Sequence, residues 1–553
     1  MSTRDIIIPG IDKKEIKSDL SDFNRSEQKI LEQIVPGLYP SWKRGQLSCI
    51  RQIQDSTEPI IALRAPTGFG KSAVAIAVNL LNGGKCLNLT QTIQLGEQYL
   101  KDFISLDLKT VKGRSNFPCT IIPAKNASEA PCVGGMKCKF KSGGCDYYDQ
   151  KIEASDANIV AMNINYFLFE ANYAGTFSNK DVLFIDEAHK LDSALRSFIE
   201  VRLSKRRFKE NNCPVPNNSS IEALLSWKDA VYPDLKDELD DINERLEINY
   251  SNDILIAQST ILSGVVHQLR KLELVDDTWL MNEDNTSVAL KPLWISRYTE
   301  KFIFNHSKKT VLMSGTLPMS TLDKLGIIKY HYIKMASTFP PENRPIIAIA
   351  AANLARSAKE PLLEQKKLIA ATKLIIKKHN NQKGIIHTSN YMISKILVDA
   401  LKNNSDIFTH EDASTRIDCL EKFTKSKAGI LISPSFTEGI DLPYDGCRWQ
   451  IIAKIPYLNL GDEQVNKRNK DDPKWYSTET IITLVQAYGR IMRSEDDSGT
   501  TYILDSSLLS LIQRWRPIFN EMEWFLEALF IVQSDNSLIP FLELEQDKEQ
   551  EGE

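Results

Sequence analysis

The residues best suited to chemistry lie in an eight-residue segment, 65–72, with the sequence Ala-Pro-Thr-Gly-Phe-Gly-Lys-Ser. Glycines at this spacing let backbone N–H groups face phosphates, the lysine can reach the β- and γ-phosphates, and the serine hydroxyl can bind Mg²⁺. The predicted nucleotide-binding residues are Thr67, Gly68, Gly70, Lys71 and Ser72. The first position is alanine where such a loop usually has glycine, and the alternative is a glycine turn before a buried helix.

Two adjacent carboxylates follow an apolar run further along the chain. Residues 182–185 have the composition of a buried strand, and Asp186 and Glu187 come directly after it. Ligands of parallel α/β sheets bind at the carboxyl ends of strands. Asp186 is therefore predicted to hold Mg²⁺, and Glu187 to position and deprotonate an attacking water. On its own, an apolar strand that ends in two acids is as often only the point where a strand meets a loop. Together with the loop at 65–72, it favours nucleotide hydrolysis.

A third group of polar residues occupies the segment 486–493. Arg490 and Arg493 are three residues apart, so we predict that they share one face of a helix. From there, two arginines can reach a γ-phosphate held by another lobe, an arrangement that accelerates hydrolysis by about 10³- to 10⁵-fold. Gln486 is a further catalytic candidate in this segment. The alternative is a solvated basic helix face.

Four cysteines lie within 27 residues, although the whole chain of 553 residues has only nine. They are Cys119, Cys132, Cys138 and Cys145. Their spacing lacks the close cysteine pairs of structural zinc sites, whereas a 4Fe–4S cluster needs four thiolates and tolerates varied spacing. The sequence therefore favours a bound metal and tilts towards iron. Free thiols in a flexible insert are the alternative.

The segment around these cysteines, residues 112–151, is also basic, with seven lysines and arginines against three acidic residues. So small a segment cannot bury a sufficient core alone, and a metal would supply its folding energy. Its lysines, together with Tyr147 and Tyr148, could follow a nucleic-acid backbone and stack on bases. The alternative has both tyrosines packed inward.

These candidates require a framework of strands and helices. Apolar runs typical of buried parallel strands recur along the chain and alternate mostly with helical patterns. The predicted strands are 59–64, 157–162, 182–185, 311–313, 384–387, 429–432 and 450–453. The fold class is therefore predicted to be α/β. Residues 191–289 interrupt this rhythm with charged helical patterns and little strand signal, and are predicted to form a helical insertion.

Composition excludes several classes of protein. With 42 % hydrophobic and 25 % charged residues, the chain is an ordinary globular protein and not a small disulfide-stapled scaffold. A net charge of −4 gives no whole-chain argument for binding nucleic acid. Because the chain has no run of 18 apolar residues and no signal-peptide pattern, we expect a soluble cytoplasmic protein with no membrane partner. The acidic residues 541–553 are predicted to be a disordered tail.

The order of these motifs resembles that of superfamily 2 helicases. Two further segments lie between them: 313–317, Met-Ser-Gly-Thr-Leu, and 433–443, Ser-Pro-Ser-Phe-Thr-Glu-Gly-Ile-Asp-Leu-Pro. The cysteine-rich segment, which begins Lys-Gly-Arg-Ser-Asn-Phe-Pro-Cys and ends Cys-Asp-Tyr-Tyr, resembles the iron–sulfur insertion of the XPD/DinG helicases. Segments 339–344 and 452–457 resemble the DinG branch in particular. The resemblance extends over residues 39–505.

This resemblance implies two RecA-like parallel-sheet motor domains with ATP between them, the first interrupted by a 4Fe–4S domain and a helical arch. The implied boundaries are 1–111, 151–190 and 290–350 for motor domain 1, 112–150 for the iron–sulfur insertion, 191–289 for the arch, 351–540 for motor domain 2 and 541–553 for the tail. It also implies that the four cysteines hold the cluster and that Gln46 lies beside the adenine. The resemblance further implies an element that couples the nucleotide site to the DNA, formed by Glu438, Gly439 and Asp441.

The implied activity is that of an ATP- and Mg²⁺-dependent DNA helicase that moves 5′-to-3′ on single-stranded DNA, in repair, recombination or replication. Its expected partners are single-stranded DNA, forked or tailed duplexes and DNA–RNA hybrids, and it is expected to act as a monomer. No nuclease-like segment precedes the motor, so no exonuclease activity is expected. The alternatives are an ATP-driven translocase that does not separate long duplexes, and a cluster-based DNA-binding redox sensor.

Overall fold

The structure, a computed structural model, describes residues 20–38, 41–103, 106–210, 216, 220–355, 357–402, 406–412, 414–436, 442, 444–491 and 497–532. Five sites predicted from the sequence lie outside the described residues. They are Glu438, Gly439, Asp441, Arg493 and the tail at 541–553.

Strands and helices are numbered separately in chain order. The strands are β1 (Ile60–Arg64), β2 (Cys86–Thr90), β3 (Leu108–Val111), β4 (Ile159–Asn163), β5 (Lys180–Asp186), β6 (Val201–Ser204), β7 (Trp279–Glu283), β8 (Ser287–Pro292), β9 (Ser307–Ser314), β10 (His331–Lys334), β11 (Ile346–Ala352), β12 (Gly384–His387), β13 (Ile407–Thr409), β14 (Ile430–Ser433), β15 (Trp449–Ile452), β16 (Thr500–Asp505) and β17 (Leu529–Val532). The α-helices are α1 (Arg25–Leu38), α2 (Gln46–Asp55), α3 (Lys71–Asn82), α4 (Ile93–Asp102), α5 (Asp146–Asp156), α6 (Ile164–Phe169), α7 (Leu191–Ile199), α8 (Lys205–Glu210), α9 (Ile221–Ile248), α10 (Asp253–Lys271), α11 (Ser296–Phe302), α12 (Met319–Lys324), α13 (Pro361–Lys378), α14 (Tyr391–Leu401), α15 (Arg416–Lys425), α16 (Glu463–Asp471), α17 (Pro473–Tyr488), α18 (Ser507–Arg514), α19 (Arg516–Glu521) and α20 (Glu523–Leu526).

The first parallel sheet, which forms lobe 1, brings the loop and the two carboxylates together. In the described part of the chain it has the strand order β10-β1-β9-β5-β2-β4-β3, and every neighbouring pair is parallel. β1 and β5 flank β9, with Leu63 and Asp186 both paired to Met313. The carboxyl ends of these three strands therefore meet at one edge of the sheet, where ligands of such sheets bind. Their cores are almost fully buried, which explains their continuous apolar sequences.

The second parallel sheet forms lobe 2 and has the order β13-β14-β12-β15-β16-β11-β17 among the residues described. Every predicted strand overlaps a strand of one of the two sheets, so the α/β prediction is confirmed. The predicted boundary between the motor domains at residue 350 differs from the structure. β11 begins at Ile346 and lies between β16 and β17 in the second sheet, with Ile346 paired to residues of both strands. The change of lobe therefore falls between Lys334 and Ile346.

Two insertions separate strands of lobe 1. The cysteine module, residues 112–158, lies between β3 and β4 and contains α5 with several short 3₁₀ turns. The second insertion lies between β5 and β9 and is built mainly from the long helices α9 and α10, which pack against each other. It also contains an antiparallel sheet in the order β6-β8-β7. The sequence did not predict these strands, because each has only four to six residues, too few for a clear alternating pattern.

A helix that crosses a bilayer needs about 20 consecutive, mostly apolar residues. Among the helices of the described residues, none is both long and apolar enough to do so.

Candidate nucleotide site and cysteine module

The loop at 65–72 has the backbone that its glycines predict. Gly68 and Gly70 have φ values of 78° and 83°, a left-handed conformation that side chains rarely tolerate. A Cβ on Gly68 would lie 2.2 Å from the Phe339 ring, so glycine is also needed for space. Lys71 begins α3 and its Nζ donates to the Ala65 carbonyl at 3.2 Å. The loop therefore presents the N-terminus of a buried helix, where anions bind.

Gln46 packs directly against this loop. Its Nε2 donates to the Phe69 carbonyl at 2.8 Å, and its Oε1 accepts from the Lys43 N–H at 2.7 Å. A cleft beside it is lined by Trp42, Gln46 and Gly70. The predicted adenine-side role of Gln46 stays a prediction, but the side chain is next to the loop.

Asp186 and Glu187 stand at the carboxyl end of β5, beside the loop. Burial, together with the carboxylate of Glu187, raises the pKa of Asp186 to about 6. Burial also acts to raise the pKa of Glu187, but the charges of His189, Lys71 and Arg490 outweigh it and hold that pKa below its ordinary value. Glu187 is therefore ionised at neutral pH, as a group that accepts a proton from water must be.

Two residues that were not predicted as site residues complete the surroundings of Glu187. Oε2 of Glu187 lies 3.3 Å from His189 Nδ1 and 3.5 Å from Ser314 Oγ. His189 Nδ1 and Ser314 Oγ are 2.8 Å apart. The available signals were the histidine three residues after the end of β5 and the serine that ends β9.

Gln486 connects lobe 2 to this group. From α17, its Nε2 lies 2.6 Å from His189 Nε2 and donates to Thr316 Oγ1 at 3.2 Å. Gln486 therefore lies beside the histidine that faces Glu187, and its predicted catalytic role stays a prediction. Any movement of α17 relative to lobe 1 changes the contacts of the histidine that faces Glu187.

Arg490 approaches the same site from beyond the end of α17. The helix ends at Tyr488, so Arg490 lies in the following turn and not on the helix face that the spacing predicted. Gly489, the residue after the helix, passes close to the loop, because a Cβ there would lie 3.5 Å from Thr67 Oγ1. The charge of Arg490 nevertheless helps to lower the pKa of Glu187, and its predicted catalytic role stays a prediction.

Comparison with known proteins agrees with this arrangement. The family described as Helicase C-terminal domain matches residues 374–521, and the family DEAD_2 matches residues 136–208. A probable ATP-dependent helicase of Methanocaldococcus jannaschii is 22 % identical over 85 % of this chain and 92 % of its own length. The ATP-dependent DNA helicase YoaA of Escherichia coli is 20 % identical over 87 % of this chain and 93 % of its own length. A solved structure titled XPD helicase shares the fold, with a TM-score of 0.58 and 16 % identity over 92 % of this chain and 98 % of that chain.

In its domain matches, its relatives and its fold, the chain is similar to superfamily 2 helicases of the XPD/DinG type. Lobes 1 and 2 are accordingly two RecA-like domains, and the candidate nucleotide site lies at their junction. The DEAD_2 match begins within the cysteine module and ends in α8, so it includes Asp186 and Glu187.

The four cysteines predicted to hold a metal share one small module. Cys119 and Cys145 are buried, while Cys132 and Cys138 are partly exposed. Burial above all, and then the neighbouring thiols of the other three cysteines, raises the pKa of Cys138. Arg114 Nη1 donates to Cys132 Sγ at 3.2 Å, and the Ile122 N–H donates to Cys119 Sγ at 3.4 Å.

The donor chemistry of the module fits a 4Fe–4S cluster, because it supplies four sulfur ligands and N–H donors to two of them. Among the described residues, however, no group of three or more His, Cys, Asp or Glu side chains is placed to hold a metal ion. The cluster therefore stays a prediction.

Tyr147 and Tyr148 do not form the exposed stacking surface considered from the sequence. They are only 2 % and 7 % exposed, and the Arg114 guanidinium lies 4.5 Å from the centre of the Tyr147 ring. Both rings instead form the small core of the module with Ala127 and Cys145. The inward alternative is correct, because a segment this small has few other apolar groups to bury.

Proposed function

We propose that this protein is an ATP- and Mg²⁺-dependent DNA helicase that moves 5′-to-3′ along single-stranded DNA, acting as a cytoplasmic monomer. Its substrates would be forked or tailed duplexes and DNA–RNA hybrids, in repair, recombination or replication. The observation that carries the proposal is the convergence of Lys71, Glu187 and Gln486 from two lobes on one site. The polarity and the preference for DNA are supported by similarity to the XPD/DinG type.

The residues of this chain divide the work of hydrolysis. Lys71 and the N-terminus of α3 would bind the phosphates of ATP. Ser72 and Asp186 would hold Mg²⁺, which supplies positive charge to the phosphate oxygens. Glu187, kept ionised by the surrounding positive charges, would accept a proton from the attacking water. Arg490 would stabilise negative charge on the transferred phosphate from lobe 2.

Coupling of hydrolysis to movement would pass through α17. Its carboxyl-terminal end carries Gln486, whose amide contacts His189, and His189 in turn contacts Glu187. A change in the relative position of the lobes therefore alters the group that activates water. Repeated closing and opening of the lobes would advance the strand.

The cysteine module would hold a 4Fe–4S cluster through Cys119, Cys132, Cys138 and Cys145. When bound, the cluster would cross-link the module and stabilise its fold. Arg114, which already donates to Cys132, would offset the negative charge of the thiolates.

The proposal is tested with anaerobically purified protein on duplexes that carry either a 5′ or a 3′ single-stranded tail. We expect ATP-dependent opening of the 5′-tailed duplex alone, and no opening by Lys71→Ala. Opening of the 3′-tailed duplex alone would overturn the polarity. Opening of neither, with hydrolysis still stimulated by single-stranded DNA, would show a translocase instead, and hydrolysis that ignores DNA would contradict the helicase assignment.

A further inference from the structure

An unusual turn lies where lobe 1, the cysteine module and the helical insertion meet. Helix α6 ends at Phe169 and continues as a π-helical turn, Glu170–Ala174. Such turns are rare and are often found at functional sites. On one side, buried Glu170 accepts a hydrogen bond from the Tyr147 hydroxyl at 3.1 Å and pairs with Lys151, both from the cysteine module. The turn is thereby anchored to that module.

On its other side the turn contacts the helical insertion through aromatic rings. The Tyr173 ring lies 4.7 Å from the imidazole of His267 on α10 and 5.3 Å from the Phe169 ring. Phe198 of α7 continues the row, 5.6 Å from Tyr173. We name Phe169, Tyr173, Phe198 and His267 the junction cluster. Its ring contacts join the π-helical turn of lobe 1 to helices α7 and α10 of the second insertion.

The outer rings of this cluster are open to solvent. Phe169 is 52 % exposed and Tyr173 is 37 % exposed, although each packs against other rings. Leaving large apolar rings in water forfeits the stabilisation of burial, so grouped and exposed rings often mark a binding surface. The inner members hold the outer two in place, so little conformational freedom remains to be lost on binding.

The charges around the cluster favour a negatively charged partner. Arg270 is exposed on α10, three residues from His267, and its charge acts on the Tyr173 hydroxyl. Burial, reinforced by Lys271 and Arg270, lowers the pKa of His267 to about 4, so its ring is neutral at physiological pH. The carboxylate of Glu170 is buried and paired with Lys151, so it does not repel anions.

We propose that Phe169 and Tyr173, with Arg270 beside them, form a stacking site for the bases of single-stranded nucleic acid. Aromatic faces accept any base, and a neighbouring arginine binds the phosphate backbone, which is the chemistry of binders without sequence preference. This inference rests on the proposed function and adds to it a contact on lobe 1, beside the helical insertion. Because the same turn holds Glu170 against the cysteine module, a strand on this site would also touch the element that anchors the module.

The test uses single-stranded oligonucleotides that carry the fluorescent base 2-aminopurine at successive positions. Stacking of this base on a tyrosine or phenylalanine quenches its emission. We expect the full-length protein to quench one or two adjacent positions, and the double variant Phe169→Leu/Tyr173→Leu to lose that quenching. Affinity should fall by about 5- to 100-fold, as expected for lost stacking on one or two bases. The matched control is Phe530→Leu, which replaces a ring on β17 that is 57 % exposed. This variant should leave both the quenching and the affinity unchanged.

A milder variant guards against misfolding of the double variant. Arg270→Gln should keep the quenching but reduce the slope of log affinity against log salt by about 0.7, the value for one phosphate contact on a single strand. Unchanged quenching and affinity in Phe169→Leu/Tyr173→Leu would overturn the inference, as would a tight wild-type complex with no quenched position. Failure of the wild-type protein to bind any single strand would instead overturn the proposed function.

Discussion

The backbone of Glu187 lies in the left-handed region, with a φ of 49°. Non-glycine residues rarely adopt this conformation, and strain of this kind concentrates at functional sites. Its N–H donates to Asp186 Oδ1 at 3.0 Å, which helps to hold the turn. The backbone thus aims the carboxylate towards His189 and Ser314, and the nearby positive charges keep it ionised.

Glu187→Gln keeps the volume of this side chain but removes its basicity. We expect kcat for DNA-stimulated ATP hydrolysis to fall by about 10²- to 10⁴-fold with little change in KM, because a general base acts mainly in the transition state. Steady-state hydrolysis at neutral pH measures both constants. Glu421→Gln, exposed on α15 and paired with Lys425, should keep wild-type kcat. Equal rates for the wild type and Glu187→Gln would contradict the assignment.

Gly68 and Gly83 allow two effects of glycine to be separated. Both have left-handed backbones, with φ values of 78° and 62°, but a Cβ at Gly68 would meet Phe339 whereas nothing described lies within 4 Å of a Cβ at Gly83. Gly83→Ala should cost about 1–2 kcal/mol of stability through the backbone alone. Gly68→Ala should cost more and weaken ATP binding. Thermal unfolding and ATP titration measure these effects. Adding Phe339→Ala to Gly68→Ala should restore part of the loss, and no restoration would contradict the clash.

At the scale of elements, the cysteine module has a very small core. Its buried members are Ala127, Cys145, Tyr147 and Tyr148, with Arg114 over the Tyr147 ring and bonded to the Tyr148 hydroxyl at 2.9 Å. Two of the four cysteines are themselves part of the packing, since Cys145 is buried in this core and Cys132 lies against it. The sulfur atoms of these two cysteines therefore contribute to the packing of the module.

Cys145→Ser tests the cluster prediction at this scale. We expect loss of bound iron and faster proteolysis within residues 112–151, because the metal supplies folding energy that the small core lacks. Iron content, visible absorbance and timed digestion measure the outcome. The control is Cys419→Ser, a buried cysteine of α15 in lobe 2, which should retain iron. Wild-type protein without iron after anaerobic purification would contradict the prediction.

Across the whole molecule, lobes 1 and 2 meet at both ends of α17. Near its carboxyl end Gln486 contacts His189, and near its amino end Trp475 contacts a fully buried arginine of α16. This arginine, Arg468, lies between the rings of Trp475 and Trp294 and makes two 2.9 Å bonds to Asp192 of α7. Helix α7 begins two residues after His189, so both contacts bear on the same segment of lobe 1.

Arg468→Met breaks the buried pair while keeping much of its apolar packing. Removing one partner of such a pair costs about 3–5 kcal/mol. Burial acts to raise the pKa of Asp192, but the charges of Arg468 and Arg196 outweigh it and hold that pKa below its ordinary value. A depressed pKa stabilises the fold above the ordinary carboxyl pKa, and this stabilisation is lost as pH falls through the folded-state pKa. The difference between wild type and variant should therefore be largest at neutral pH and shrink below about pH 4.

Thermal unfolding at pH 7 and at pH 4 or below measures this difference. Lys422→Met, which breaks the exposed pair with Asp418, is the control and should change stability by less than about 1 kcal/mol. A difference for Arg468→Met that does not depend on pH would contradict the role given to Asp192.

The amino-acid sequence by itself determined the parts whose signal is local. The glycines and lysine of 65–72, the acids after β5 and the apolar runs of the strands each act within a few residues. Local spacing was enough to predict these parts. The φ angles open to a glycine, the alternation of side chains along a strand and the periodicity of a helix all depend on residues close in the sequence. The α/β class and the grouping of the loop with Asp186 and Glu187 follow from these signals.

Only the tertiary structure decided the contacts between distant residues. Gln486 meets His189 across 297 positions, and Arg468 meets Asp192 across 276. Local spacing likewise did not reveal several other features. They are the inward tyrosines of the cysteine module, the sheet of β6, β7 and β8, the change of lobe before Ile346 and the exposed junction cluster. Such contacts depend on how lobes and insertions pack, and packing is set by the whole surface of each element and not by the spacing of a few residues.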